Sequence, residues 1–425
     1  MQGIGAAALL ALTAGVASAA PLQVVEITEI ISAGDPTPSG AGFFSADDIA
    51  VDDQGRVATQ VDSGAPGGVD QVIRFDGGTQ TVVAEDGQAL PGLSIVPTGF
   101  DDHFEIRNGL VAFNARFASS DNDAILIGDG TATRVVAQAG VTPLPFGPGT
   151  ATSYSLSDAE GFGFDGTRTA FVANRINDTF GNAGVYVEDG SGNIARILDS
   201  TEAPLSPLTG TAYTSFNDAM ADANGPGIVF VADVDNGTFG GGERALMLFD
   251  GSTLSVIDVV SNNNELLEPD IDGGMIAYQT RVGGIDRLNL FDGFVLTTLL
   301  SAGDMLFGEE VTFIGASGVA IADGVVAFLA ETATSGLGIF LWHDGAFTEV
   351  VRNGGQFDGQ TVNGLSFQNR PYLADGFLAF EMEGASTGTT IYRVAFAEGA
   401  EVPLPPAGLA LLAALGGLAL LRRRR

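Results

Sequence analysis

The chain has 425 residues, of which 52 are acidic and 18 basic, for a formal net charge of −34. A field of that sign repels phosphate backbones and anionic head groups, which counts against nucleic-acid binding and charge-driven membrane docking. With no Cys and no Lys, the sequence excludes thiolate nucleophiles, cysteine metal centres, disulfides and Schiff-base lysines. Its two histidines, His103 and His343, leave little material for a catalytic triad or a multi-histidine metal site.

Residues 4–16 form an apolar run leading into Ala17-Ser18-Ala19, the small-x-small pattern that signal peptidase cuts. Residues 1–19 are therefore expected to be a signal peptide and the mature chain to begin near Ala20, although Met1-Gln2-Gly3 lacks the usual positive charge.

From there to residue 399 the chain repeats itself. An apolar segment recurs seven times: Val57-Ala58-Thr59, Val111-Ala112-Phe113, Thr169-Ala170-Phe171, Ile228-Val229-Phe230, Ile276-Ala277-Tyr278, Val326-Ala327-Phe328 and Leu378-Ala379-Phe380. The spacing runs from 48 to 59 residues. A turn ending in Gly precedes each copy, and a second turn, usually Asp-Gly as at Asp76-Gly77, Asp129-Gly130 and Asp250-Gly251, follows it. Two tight turns per repeat imply two hairpins, because Gly tolerates the positive φ that such turns require. The pattern predicts an all-β fold, a seven-bladed β-propeller of four-stranded blades spanning residues 20–399.

The seventh copy runs out at Phe396-Ala397-Glu398-Gly399 without a fourth strand. Val24-Val25-Glu26-Ile27 fits that position, and the Ser32-Ala33-Gly34-Asp35 that follows repeats Ser301-Ala302-Gly303-Asp304 letter for letter. The N-terminal strand, over residues 22–33, is thus expected to complete the last blade beside Thr390–Phe396 and leave no open edge in the ring.

With the first and third connections of every blade tight, the long loops fall on one face: 61–70, 117–123, 176–183 and 233–243, together with the links at 142–149 and 203–210. Loops on a rigid scaffold are where binding residues gather. Asp121, Asp123, Asp178, Asp233 and Asp235, with Asp62 and Asp70 nearby, are candidate ligands for Ca²⁺, which takes six to eight oxygens, although none has EF-hand spacing. Turn chemistry competes for the same residues. Asp101-Asp102-His103 and Trp342-His343 read as a polar strand edge and a packed strand end. No phosphate loop or dinucleotide fingerprint appears, so no nucleotide cofactor is expected, and no catalytic residue can be assigned.

At the C-terminus, residues 400–425, Val402-Pro403-Leu404-Pro405-Pro406 precedes an apolar stretch to Leu421 and then Arg422 to Arg425. Fifteen apolar residues from Ala407 reach only about 22 Å as a helix, against a hydrocarbon core of about 30 Å. This tail resembles the VPLPA-type variant of the PEP-CTERM sorting signal of Gram-negative bacteria. The resemblance implies recognition by an exosortase-type membrane enzyme, membrane contact through residues 402–421, and residence in the cell envelope or extracellular matrix, often with exopolysaccharide and biofilm.

The expected function is that of an exported surface or matrix propeller that binds a polysaccharide or a surface protein. A secreted polysaccharide hydrolase or lyase is the alternative: two or three carboxylates converging with Arg or His at the channel mouth would favour it, whereas a flat or plugged mouth would favour binding. N-terminal sequencing of envelope or medium material should find a chain beginning near Ala20; an intact Met1 in soluble cytoplasm would refute export.

Overall fold

The computed structural model describes residues 21–40, 42–62, 69–117, 123–147, 149–151, 154–156, 161–175, 183–235, 242–261, 264–365, 372–384 and 388–398. They form strands and turns, with no helix among the described residues. Turn-forming Gly and Asp interrupt the chain too often for helical periodicity to develop, and the runs between them are rich in Val, Ile and Phe.

The strands assemble, in chain order, into small antiparallel sheets in a propeller-like arrangement. Ser45–Val51, Val57–Asp62, Gln71–Asp76 and Thr79–Glu85 make the 45–85 sheet. Gly99–Arg107, Leu110–Arg116, Ala124–Gly128 and Thr133–Gln138 make the 99–138 sheet. Glu265–Asp272, Met275–Val282, Ile285–Phe291 and Leu296–Ser301 make the 265–301 sheet. Glu309–Ala322, Val325–Thr332, Gly336–His343 and Ala346–Arg352, with the short Met305–Leu306, make the 305–352 sheet. The terminal sheet runs Gln360–Leu365, Phe377–Gly384, Gly388–Glu398 and, outermost, Leu22–Ser32.

Seven separate units are not what the strands form. Five blade-sized sheets stand alone, as does a two-stranded one of Leu144–Phe146 with Gly149–Ala151, while the third and fourth repeats share one nine-stranded sheet. Its two halves, 154–199 and 212–261, meet through a single parallel pair, Phe162 with Ala219. The backbones come this close because residue 163 has no side chain: a Cβ on Gly163 would lie 2.1 Å from the Ala221 nitrogen and 2.5 Å from Met220 Cα.

The core is divided among the spaces between neighbouring sheets. Ala112, Phe162 and Phe171 pack in one such cluster, and Val172, Phe216 and Phe230 in the next. Tyr278 and Val231 share a third, Phe328 and Leu290 a fourth, and Phe380 and Leu341 a fifth. The last joins Phe104 and Val57 to Tyr372 and Ile391, bringing the end of the chain back against its beginning. The first strands follow the same order, each touching the next, with Tyr372–Ala374 returning to Ser45–Val51. The recurrent Ala-Phe strand serves this packing, since Ala58, Ala112, Ala277, Ala327 and Ala379 are fully buried.

The two chain ends pair as expected. Leu22–Ser32 lies antiparallel to Gly388–Glu398, from Leu22 opposite Glu398 to Ser32 opposite Thr390. The matching tetrapeptides also make matching turns. Ser32 N–H donates to Asp35 Oδ2 at 2.9 Å and Ser301 N–H to Asp304 Oδ2 at 2.8 Å, while Gly34 and Gly303 donate to the carbonyls of Phe43 and Val311, both at 2.8 Å.

Removing residues 21–32 would strip Gly388–Glu398 of its outer neighbour and expose an edge. A mature body beginning near Gly40 should therefore melt well below one beginning near Ala20; equal melting temperatures would show that the closure contributes nothing.

Candidate functional site

The first turns of the successive repeats converge on a cavity of about 210 Å³, lined by Asp53, Arg107, Asn108, Asp165, Ala223, Asn224, Asp272, Ala322, Asp323, Ala374 and Asp375. Every repeat contributes at least one residue, so the cavity lies where the ring's turns meet. Each of these turns must reverse within a few residues, and the left-handed backbone they use suits Asn, Asp and Gly. Asn108 at φ 54° is followed by Gly109 at 77°, and Asp323 at φ 46° by Gly324 at 74°. The same preference therefore places polar side chains around the mouth.

Some of these polar groups hold the ring together. Asp52 is fully buried; its Oδ1 accepts the Gln54 and Arg56 N–H groups at 3.1 and 3.0 Å, and its Oδ2 accepts the Gly109 N–H of the next sheet at 3.2 Å. Asp222, 1 % exposed, accepts Asn224 N–H at 2.9 Å and reaches across to the Gly273 and Gly274 N–H groups, both at 2.8 Å. Asp272 takes the Asn224 side-chain amide at 2.6 Å and the Asp323 N–H of the following sheet at 2.7 Å. Burial pushes the Asp272 carboxyl above the usual range despite these donors, and Asp270 and Asp222 add to the shift. Asp165 is engaged by Arg168, whose Nε lies 2.6 Å from Oδ2.

The other lining groups are uncommitted. Among the described residues, no hydrogen bond or ion pair engages the side chains of Asp53, Asn108, Asp323, Asp375 or Arg107. The Arg107 Nε is also sealed from solvent without an acceptor. The mouth thus offers three free carboxylates, an amide and a guanidinium to whatever enters it.

The cavity lies on the tight-turn face, whereas sequence reasoning placed the site on the long loops. Asp121 and Asp178, with most of the loops 61–70, 117–123, 176–183 and 233–243, lie outside the described residues. Asp233 is occupied: Arg244 Nε lies 2.7 Å from its Oδ1, and the Ser215 hydroxyl donates to Oδ2 at 2.7 Å. Asp123 is buried, and Asp235 is exposed at the end of its strand, where its carbonyl accepts Thr211 N–H at 2.7 Å. Burial, reinforced by Asp62 and Asp86, raises the Asp70 carboxyl. Among the described residues, no three acidic or histidine side chains are grouped to hold a metal ion.

The two histidines are built into the packing. His103 donates from Nε2 to the Phe162 carbonyl at 2.7 Å and stands edge-on to the Phe162 ring at 4.7 Å, while Asp101 pairs with Arg116 at 2.6 Å. His343 closes the third hairpin opposite Ala346. The sequence signal for the mouth was the acid or amide placed directly before Gly at Asn108, Asp165, Asn224, Asp272, Asp323 and Asp375. Ordinary turn preference explains the same pattern, so only the convergence of the turns separates the two meanings.

No protein-family model matches the chain, and no curated protein does. Among solved structures it is similar to the acylaminoacyl peptidase of Pyrococcus horikoshii, with a TM-score of 0.51 and 14 % identity over 84 % of this chain and 52 % of that one. A puromycin-hydrolyzing peptidase of Mycobacterium tuberculosis gives 0.51 and 14 %, over 90 % and 57 %. A puromycin hydrolase gives 0.53 and 12 %, over 89 % and 58 %. This chain therefore spans little more than half the length of these proteins, and identities this low carry the propeller-type fold alone.

Hydrogen bonds to a charged acceptor contribute about 1.5–3 kcal/mol each. Asp222→Ala, which strands three backbone N–H groups, should lower unfolding stability by roughly 3 kcal/mol or more in a denaturant titration; a loss under about 0.5 kcal/mol, the range of an ordinary surface change, would refute the bridging role.

Proposed function

We propose that this protein is an exported binding module whose seven blades surround an axial mouth that takes one end of a glycan. The observation that carries this reading is the set of uncommitted groups in the mouth: Asp53, Asp323 and Asp375 accept hydrogen bonds, and Arg107 and Asn108 donate them. Sugar hydroxyls both donate and accept, and they match such a lining better than an apolar ligand would. The volume, about 210 Å³, is below the roughly 300–1,000 Å³ that encloses drug-sized ligands, so it suits one terminal sugar.

Counting seven blades rests on treating the nine-stranded sheet as two. A single parallel pair joins its halves, and each half packs a separate cluster against its outer neighbour. Delivery to the cell envelope rests on the signal-peptide pattern of residues 1–19 and the sorting-signal resemblance of residues 402–425, both outside the described residues. Exosortase recognition and membrane contact through 402–421 belong to the same proposal.

Convergence of carboxylates with Arg107 also supports a second reading, cleavage of a polysaccharide. Binding ranks first because the lining carboxyl that burial raises, Asp272, already accepts two hydrogen bonds and is poorly placed to serve as a free proton donor.

The triple variant Asp53→Asn, Asp323→Asn, Asp375→Asn should melt like the wild type. In calorimetry against a panel of neutral and charged oligosaccharides it should bind the best wild-type ligand at least about tenfold more weakly, a difference of about 1.4 kcal/mol. Unchanged binding would remove the mouth from the reading, and new reducing ends in wild-type incubations would favour the enzyme.

A further inference from the structure

Arg107 is the single cation among the eleven lining residues of the mouth. Asp53, Asp323 and Asp375 line the same cavity, yet no ion pair forms between any of them and the guanidinium. Its Nε–H is sealed from solvent, as are those of Arg74, Arg352 and Arg393, so a ligand meets only its two terminal nitrogens, which have no protein partner among the described residues. The mouth therefore has a place for one acceptor among several places for donors.

The possible substituents of a sugar differ in how they meet that requirement. A carboxylate would suit the guanidinium but enter a lining with five carboxylates, in a chain of net charge −34. An ammonium would suit the carboxylates but leave the terminal nitrogens of Arg107 without an acceptor and set two cations side by side. A hydroxyl is a weaker acceptor than a carbonyl and does not use the planar fork of the guanidinium. An acetamido group carries a carbonyl for Arg107, an N–H for a neighbouring carboxylate, and no net charge.

We propose that Arg107 is the specificity-determining residue of the mouth and selects a glycan end bearing an acetamido group, an inference that rests on the glycan-binding reading above. Asp53, Asp323 and Asp375 then take the hydroxyls and the amide N–H, and Arg107 takes the carbonyl oxygen.

Calorimetry with the full mature protein would use three trisaccharides of the same linkage: tri-N-acetylglucosamine, cellotriose, which has a hydroxyl at the substituted position, and triglucosamine, which has an ammonium there. The wild type should bind the acetylated trimer at least about tenfold more tightly than the other two. Arg107→Met, which keeps bulk and removes the donors, should abolish that margin by weakening the acetylated trimer about tenfold more than cellotriose, with an unchanged melting temperature. Equal wild-type affinities for the acetylated trimer and cellotriose would overturn the acetamido assignment and leave glycan binding standing. Tighter binding of triglucosamine would also overturn it, with the carboxylates reading an ammonium instead. An equal loss for both neutral trimers in Arg107→Met would make Arg107 an organiser of the mouth, which refutes its selective role. Failure of the wild type to bind any of the trimers or any of the wider panel would remove both readings together.

Discussion

The architecture depends on buried and half-buried carboxylates that accept backbone N–H groups from the next sheet. Asp48 Oδ2 takes the Phe104 N–H at 3.2 Å, Asp52 takes Gly109, Asp222 takes Gly273 and Gly274, Asp270 takes Ile321 at 2.8 Å, and Asp272 takes Asp323. Apart from the Phe162–Ala219 pair, neighbouring repeats share no ladder among the described residues, so each inner strand would otherwise leave N–H groups facing its neighbour without an acceptor. A carboxylate has about four acceptor sites and can serve its own turn and the adjacent one together. Bulges assist this arrangement. Register breaks between Ala46 and Ile49 and between Leu267 and Asp270 turn Asp48 and Asp270 out of the strand alternation and toward the following sheet.

Arginine supplies the complementary contact, from donor side chain to carbonyl. Arg168 donates to the carbonyls of Pro226 and Gly225 at 2.9 and 2.6 Å, Arg393 to that of Gly55 at 2.8 Å, and Arg74 to that of Gly109. Because Arg393 sits on the last sheet and Gly55 on the first, this contact spans the junction that the chain itself crosses after Leu22–Ser32 has paired with Gly388–Glu398 inside the terminal sheet. Closure is therefore fixed both at the rim and at the mouth.

The excess of acid is a mixture of different jobs. Asp129, Asp250 and Asp292 accept N–H groups of their own hairpins, and those hydrogen bonds hold their carboxyls below the usual range at the exposed turns. Asp52, Asp222 and Asp272 bridge sheets. What remains in the mouth, Asp53, Asp323 and Asp375 with Arg107, has no side-chain partner among the described residues.

Sequence alone determined the parts of this protein that local chemistry controls. Strand against helix, the two tight turns of each repeat, the buried Ala-Phe strand and even the pairing of the two chain ends follow from residue preferences and from a tetrapeptide repeated at Ser32–Asp35 and Ser301–Asp304. Tertiary structure decided what depends on distance across the ring. Gly163 looks like any strand glycine until the neighbouring backbone is found 2.1 Å from where its Cβ would stand, which is why two repeats share a sheet. Asp52 and Asp53 are adjacent and identical in type, yet one is buried against Gly109 of the next sheet and the other lines the open mouth. Residue type fixes what a side chain can bond with; only the closure of the ring fixes whether a partner is already there.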